Sequence, residues 1–384
     1  MRFEFATATR IRFGAGVVRE VAPLAKEMGS RAFVVTGRTA SRAALLLSGL
    51  SAAGVSHVSF AIDGEPALSH VADGVRRLRD GHADLVIAVG GGSVIDAGKA
   101  IAALATNPGE ALDYLEVIGK ARALEQPPLP FIAIPTTAGT GAEVTRNAVL
   151  ASPEHRVKAS LRSPLLLPKL AVVDPELALG LPFALTATTG LDALTQLIEP
   201  FVSCRANPLT DGLCREGLLR AARSLRRACD EPGNLAARED MALASLFSGL
   251  ALANAGLGSV HGFAAPIGGM FPAPHGAVCA ALLPHAMELN LRALRQRQSQ
   301  GEALARYSEI ASLLTGRANA TADEGVSWVR SLCADLKIVP LRTHGIAGAD
   351  VGALCDKAGQ SSSMKGNPLP LLPEELRELL ERAL

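Results

Sequence analysis

The stretch Asp84-Leu-Val-Ile-Ala-Val-Gly-Gly-Gly-Ser93 decides the fold. A short, continuous apolar run enters three glycines, and Val94-Ile-Asp-Ala-Gly-Lys-Ala-Ile-Ala102 then opens a helical pattern. A strand that is apolar on both faces belongs inside a parallel sheet. The same design recurs outward from this point. Arg31–Thr36 runs into Gly37, Val55–Ile62 holds another strand, Phe131–Ile134 stops at Pro135, and Leu170–Val173 precedes Asp174-Pro175. Ala-rich helical stretches alternate with these runs, which predicts a doubly wound, Rossmann-like parallel sheet. Beyond about Pro182 the strand signals stop. Helical patterns take over at Leu185–Ser203, Leu209–Cys229, Leu235–Ala255, Val278–Leu294, Leu304–Leu314 and Pro373–Leu384. The expected organisation is an α/β domain over residues 1–178 and an all-helical domain over 179–384.

Composition narrows the function. The formal net charge of +1 gives no field that would draw the chain to nucleic acid or anionic lipid. No apolar run reaches the roughly 18 residues of a membrane span, and the charged start Met1-Arg-Phe-Glu lacks a signal peptide's apolar core. None of the six cysteines forms a C-x-x-C pair, so reduced thiols in a cytoplasmic protein are expected.

Two loops carry the expected ligand chemistry. Gly90-Gly-Gly-Ser93 lies between a buried strand and a helix start. Glycines there admit a diphosphate to the backbone, and the helix offers free N–H groups and the positive end of its dipole. The spacing is not G-x-G-x-x-G. Pro135-Thr-Thr-Ala-Gly-Thr-Gly-Ala-Glu143 also follows a buried strand and adds three threonine hydroxyls at a sheet's carboxyl end, where open α/β sheets bind ligands. In the helical half, Asp192 and Gln196 share one face. His261 follows the run Gly256–Val260, and His275 sits in Pro272-Ala-Pro-His-Gly276. These oxygen and nitrogen donors suit Fe(II), Zn(II) or Mn(II) if they converge. His285, after Pro284, has no place assigned by the pattern.

Together these segments resemble the iron-containing (group III) alcohol dehydrogenase family. Gly90–Lys99 and Pro135–Glu143 match its cofactor loops. Leu170–Leu177, Gly190–Ser203, Gly258–Gly269, Pro274–Asn290 and Gly366-Asn-Pro368 follow in order. The resemblance implies a dehydroquinate synthase-like architecture, with the cofactor and a metal between a Rossmann-like and a helical domain. It implies cofactor contacts at Gly91, Gly92, Ser93, Thr136, Thr137, Thr140, Thr145, Asn147 and Lys158, and metal ligands at Asp192, Gln196, His261 and His275. The two histidines would be the catalytic pair. A homodimer is expected, with the segment Arg2–Ala6 pairing as a strand across a two-fold axis.

Three departures from the family pattern matter. Gln196 stands where a ligand histidine is usual. Ala265 replaces a histidine proposed to relay protons. Gly37-Arg38 replaces the acidic residue that favours NAD, and an arginine there can pair with a 2′-phosphate, so NADP is expected over NAD. The implied activity is hydride transfer between NAD(P) and a small alcohol, aldehyde or ketone, with Fe(II) or Zn(II) polarising the substrate oxygen. Besides a nucleotide-binding protein without catalysis, two alternatives stay open. One is a metal-independent carbonyl reductase like the maleylacetate reductases. The other is a sugar-phosphate cyclase or lyase like the dehydroquinate synthases, for which Arg156, Lys158 and Arg162 are the candidate phosphate ligands.

Overall fold

The computed structural model describes residues 2–384. The chain divides into two compact units. The α/β unit takes residues 6–137 and 141–179. Its strands are β1 (Ile11–Phe13), β2 (Arg31–Thr36), β3 (Ser56–Ala61), β4 (Leu85–Gly90), β5 (Phe131–Pro135), β6 (Asn147–Ser152), β7 (Val157–Arg162) and β8 (Leu170–Val173). Its helices are α1 (Val21–Met28), α2 (Ala44–Ala52), α3 (Leu68–Asp80), α4 (Gly92–Thr106) and the single turn α5 (Ala111–Tyr114).

Six strands form one sheet in the order β1-β8-β5-β4-β2-β3, and all its pairings are parallel. Alternate residues of β2, β4 and β5 face opposite sides. Phe33, Val35, Val86, Ala88, Phe131 and Ala133 pack in one core with residues of α3 and α4. Ala32, Val34, Leu85, Ile87, Ile132 and Ile134 pack in another with residues of α1 and α2. Two covered faces explain why these strands read as unbroken apolar runs. The strand order reverses between β2 and β4, a topological switch point where the loops after both strands open a crevice.

The sequence pattern missed the antiparallel hairpin β6–β7 and the short edge strand β1, which follows the register of β8. Alternation is visible in the burial of β6, but its polar residues and the turn at 153–156 resemble a loop. Arg2–Ala6 forms no strand within the chain.

The helical unit takes residues 138–140 and 180–384, with the N-terminal residues up to Phe5. Its helices are α6 (Phe183–Val202), α7 (Pro208–Asp230), α8 (Leu235–Ala255), α9 (Ser259–Met270), α10 (His275–Arg297), α11 (Glu302–Thr315), α12 (Ala322–Asp335), α13 (Val351–Gln360) and α14 (Pro373–Ala383). One apolar core joins them. Starts are marked chemically: Asn207 accepts from Thr210 N ahead of Pro208, and Thr321 and Glu324 form a capping box. Helices α9, α12 and α13 were not read from the sequence. Pro266 and three glycines in α9 hide its periodicity. Among the described residues, no single helix is long and apolar enough to cross a membrane.

Candidate functional site

The cofactor loops lie side by side because their strands do. Thr36 is in register with Val89, and Gly90 with Pro135. Gly37-Arg38, Gly90–Ser93 and Thr136-Thr137 therefore leave the same edge of the sheet, at the carboxyl ends of β2, β4 and β5. Thr136 N donates to Gly90 O at 3.0 Å and ties two of the loops together. Helix α4 begins at Gly92 with no side chain capping it, which leaves its first N–H groups for a ligand. Gly90 is required by packing, since a Cβ there would meet Val94 at 2.5 Å. Gly91 is different: a Cβ would stand 3.5 Å from Thr137 Oγ1, in ordinary contact.

The remaining residues assigned to the cofactor are placed less uniformly. Thr140 groups with the helical unit. Thr145 is buried, and its hydroxyl accepts from Lys99 Nζ at 2.9 Å and donates to Ala142 O at 3.2 Å. Lys99 Nζ also donates to the carbonyls of Thr145 at 2.8 Å and Asn147 at 3.0 Å. Burial pushes the Lys99 amine down to about 8, although Asp96 and Glu143 pull the other way. Burial lifts the Glu143 carboxyl to about 7 against the pull of Lys99. Lys158 Nζ pairs with Glu65 at 2.8 Å, and Arg162 pairs with Glu116 at 3.1 Å. Both pairs lie within the α/β unit. Arg38 extends into solvent and pairs with Asp63 at 2.7 Å.

The helical unit carries a cluster of its own. Asp192 lies on α6, His261 on the first turn of α9, and His275 opens α10. Their donors converge. Asp192 Oδ1 lies 3.4 Å from His261 Nε2 and 3.6 Å from His275 Nε2. The two rings are 5.4 Å apart and inclined at 53°. Both separations exceed the roughly 2.7–3.2 Å of a hydrogen bond, and Asp192 Oδ1 is buried with no hydrogen-bond partner. His261 is buried, whereas the His275 side chain keeps 34% of its exposure, so the cluster opens on that side.

Glu199, which sequence reasoning missed, positions His261. It lies seven residues after Asp192 on the same face of α6. Its Oε1 accepts from Val260 N at 2.7 Å, and its Oε2 meets His261 Nδ1 at 2.7 Å. A Cβ on Gly258 would sit 2.9 Å from Glu199 Oε1, so glycine admits the carboxylate to the start of α9. Held through Nδ1, the ring turns Nε2 towards Asp192.

One donor joins those read from the sequence. The Gln196 amide nitrogen donates to Gly139 O at 2.6 Å and to Ser248 Oγ at 3.4 Å, which leaves Oε1 as the atom it could offer a cation. The donor that joins the other three is Cys279, whose sulfur lies in a group with Asp192, His261 and His275, all ligand atoms within 4.8 Å of one another. The available signal was its place four residues after His275, one turn along α10. His285 lies further along that helix, where burial and the nearby Arg330 push its pKa down.

Electrostatics favour positive charge at this cluster. Burial alone would raise the Asp192 carboxyl, but the His275 and His261 charges hold it below its ordinary value. Burial alone would lower both histidines. Cys279 and Glu199 raise His261 well above its usual value, and Cys279 and Asp192 raise His275. An unpartnered buried carboxylate oxygen beside two imidazole nitrogens and a sulfur fits a divalent cation.

Comparison with known proteins agrees with this picture. Residues 8–175 match the family described as iron-containing alcohol dehydrogenase, and residues 186–384 match the C-terminal part of the Fe-containing alcohol dehydrogenase family. A 1,3-propanediol dehydrogenase of Citrobacter freundii is 36% identical over 344 residues, covering 88% of this chain and 86% of that protein. The crystal structure of a 1,3-propanediol oxidoreductase superposes with a TM-score of 0.93 at 32% identity, covering 100% of both chains. A sulfoacetaldehyde reductase from Bifidobacterium kashiwanohense, solved with NAD+, superposes with a TM-score of 0.86 at 27% identity, covering 99% of this chain and 98% of that one.

Proposed function

Because the chain belongs to the iron-containing alcohol dehydrogenase family and is an NAD(P)-dependent alcohol dehydrogenase, we propose that it interconverts small alcohols and their carbonyl forms using NADP in preference to NAD, with Fe(II) or Zn(II) held by Asp192, His261 and His275. The substrates are small primary alcohols and diols of the kind named for its relatives, such as 1,3-propanediol. The carrying observation is the buried, unpartnered Asp192 Oδ1 facing two imidazole nitrogens.

A divalent cation there supplies Lewis-acid polarisation of the substrate's C–O bond, and the nicotinamide carries the hydride. The protein's own residues do the rest. Glu199 fixes the His261 ring, so that its Nε2 faces the cluster. His275 is the partly exposed member of the cluster. Ala265 offers no proton-carrying group, so the alcohol proton leaves through water or a ribose hydroxyl. On the sheet, Gly91, Gly92 and Ser93 present backbone N–H groups to the diphosphate. Arg38 exchanges its exposed partner Asp63 for the 2′-phosphate; such surface pairs contribute only about 0–1 kcal/mol, so the exchange costs little.

The formal charge of +1 supports partners that are small molecules rather than nucleic acid or membrane. The six free cysteines suit the reducing cytoplasm, and family resemblance supports a homodimer.

The test is NADP-linked oxidation of 1,3-propanediol before and after dialysis against a chelator. Activity is expected to vanish and to return with Fe(II) or Zn(II). Undiminished turnover by protein that holds no metal would instead support the metal-independent reductase, in which the two raised histidines donate hydrogen bonds to the carbonyl.

A further inference from the structure

We propose that the Cys279 thiolate is a protein ligand of the cation beside Asp192, His261 and His275, and that it biases the site towards zinc. This rests on the reading that the cluster holds a divalent cation.

The argument is metric. Bond lengths of about 2.0–2.2 Å to oxygen, 2.0–2.1 Å to nitrogen and 2.3 Å to sulfur, set at tetrahedral angles, place oxygen and nitrogen about 3.4 Å apart and nitrogen and sulfur about 3.6 Å apart. The observed separations follow that pattern. Asp192 Oδ1 is 3.4 and 3.6 Å from the two imidazole Nε2 atoms. Cys279 Sγ is 3.7 Å from His261 Nε2 and 3.7 Å from His275 Nε2. A sulfur equidistant from two imidazoles thus lies at the edge-length of a coordination tetrahedron from both.

Helix geometry supplies the reason. His275 and Cys279 are four residues apart at the start of α10, so both project from one face of its first turns. Cys279 is wholly buried, so its sulfur faces the cluster and not bulk water. Gln196 Nε2 serves Gly139 O and Ser248 Oγ, which fastens the 138–140 segment to α6.

On coordination the thiol loses its proton to solvent and binds as thiolate. The resulting set of one carboxylate, two imidazoles and one thiolate is softer than an oxygen and nitrogen set, which favours zinc over manganese. The open His275 side leaves room for a substrate as a fifth ligand.

The experiment uses the full-length protein loaded with cobalt(II) in place of its native metal. Wild-type protein should show visible cobalt absorption and an intense near-ultraviolet thiolate-to-cobalt band. Cys279→Ser should keep the visible absorption, lose the near-ultraviolet band, and lower zinc affinity by at least about tenfold. Visible absorption without the sulfur band in wild type, or a band that survives in Cys279→Ser, overturns the role of Cys279 alone. Absence of any cobalt absorption, with alcohol oxidation intact, overturns the cation reading itself. Should Cys279→Ser not fold, zinc-edge X-ray absorption of the wild type decides. One sulfur at about 2.3 Å supports the proposal, and a shell of only nitrogen and oxygen refutes it.

Discussion

The sheet edge and the helical cluster solve the problem of holding a ligand in opposite ways. The sheet edge is built from backbone: Gly37, Gly90–Ser93 and Thr136-Thr137 leave neighbouring parallel strands in register, and few side chains are needed. The cluster is built from side chains: Asp192, His261, His275 and Cys279 come from three helices and are mostly buried. Sheet register makes the first arrangement nearly automatic once the strands form. The second depends on how three helices pack. A backbone site should therefore tolerate side-chain changes unless they clash, whereas the side-chain site should weaken when any one donor is removed.

The largest expected effect follows directly. Asp192→Ala or His261→Ala should lower kcat/KM for alcohol oxidation by about a thousandfold or more, the scale of several kcal/mol of lost charge stabilisation. Retained metal should fall in parallel, read by elemental analysis. Far-ultraviolet circular dichroism should stay unchanged, since one apolar core holds the helices. Full activity in both variants would erase the contrast between the two regions.

The glycines sharpen the contrast from the other side. Gly90→Ala drives a methyl into Val94 and should destabilise the protein by about 1–3 kcal/mol in urea unfolding. Gly91→Ala meets only an ordinary contact with Thr137, so its stability should stay within about 0.5 kcal/mol of wild type. Any loss there should show in the Kd of NADP. Equal destabilisation by both would mean that the turn is structural throughout.

Arg38→Ala should lower the preference for NADP over NAD by about 10–100-fold in kcat/KM, the range for a lost hydrogen bond to a charged group. Asp63→Ala should change it little or raise it, because it frees Arg38.

A further prediction concerns the buried pair behind the loops. Glu143 has a folded pKa raised from 4.5 to about 7. Its contribution is full below about pH 4.5 and is lost as pH rises towards 7. Lys99 is lowered from 10.5 to about 8. Its contribution is full above about pH 10.5 and is lost as pH falls through 8. The urea midpoint should therefore decline between about pH 4.5 and 7 and recover between about 8 and 10.5. Glu143→Gln should flatten the lower limb. A lower limb equally steep in the variant would assign the slope to other groups.

What the sequence made legible follows the same division. Apolar runs such as Leu85–Val89 and glycines such as Gly90 carry their meaning locally, so the sheet and its loop edge could be read. Asp192, His261 and His275 could be named as candidate donors, but no spacing on one strand or helix joins them, and resemblance supplied the expectation that they converge. Glu199 and Cys279 escaped notice because each acts through a neighbour on a different element. Gln196 shared the right face with Asp192, but that face also meets Gly139 and Ser248, and only packing decides which partner the amide takes. The hairpin β6–β7 was lost for a related reason, since Lys158 and Arg162 are polar residues whose partners Glu65 and Glu116 are distant in the chain.

The most direct measurement is an anomalous difference map at the absorption edge of the metal found in freshly purified, crystallised protein. The account predicts one peak per chain, ringed by Asp192, His261 and His275. An enzyme that turns over alcohol with no peak there, and with Asp192 hydrogen-bonded straight to the imidazoles, would contradict it.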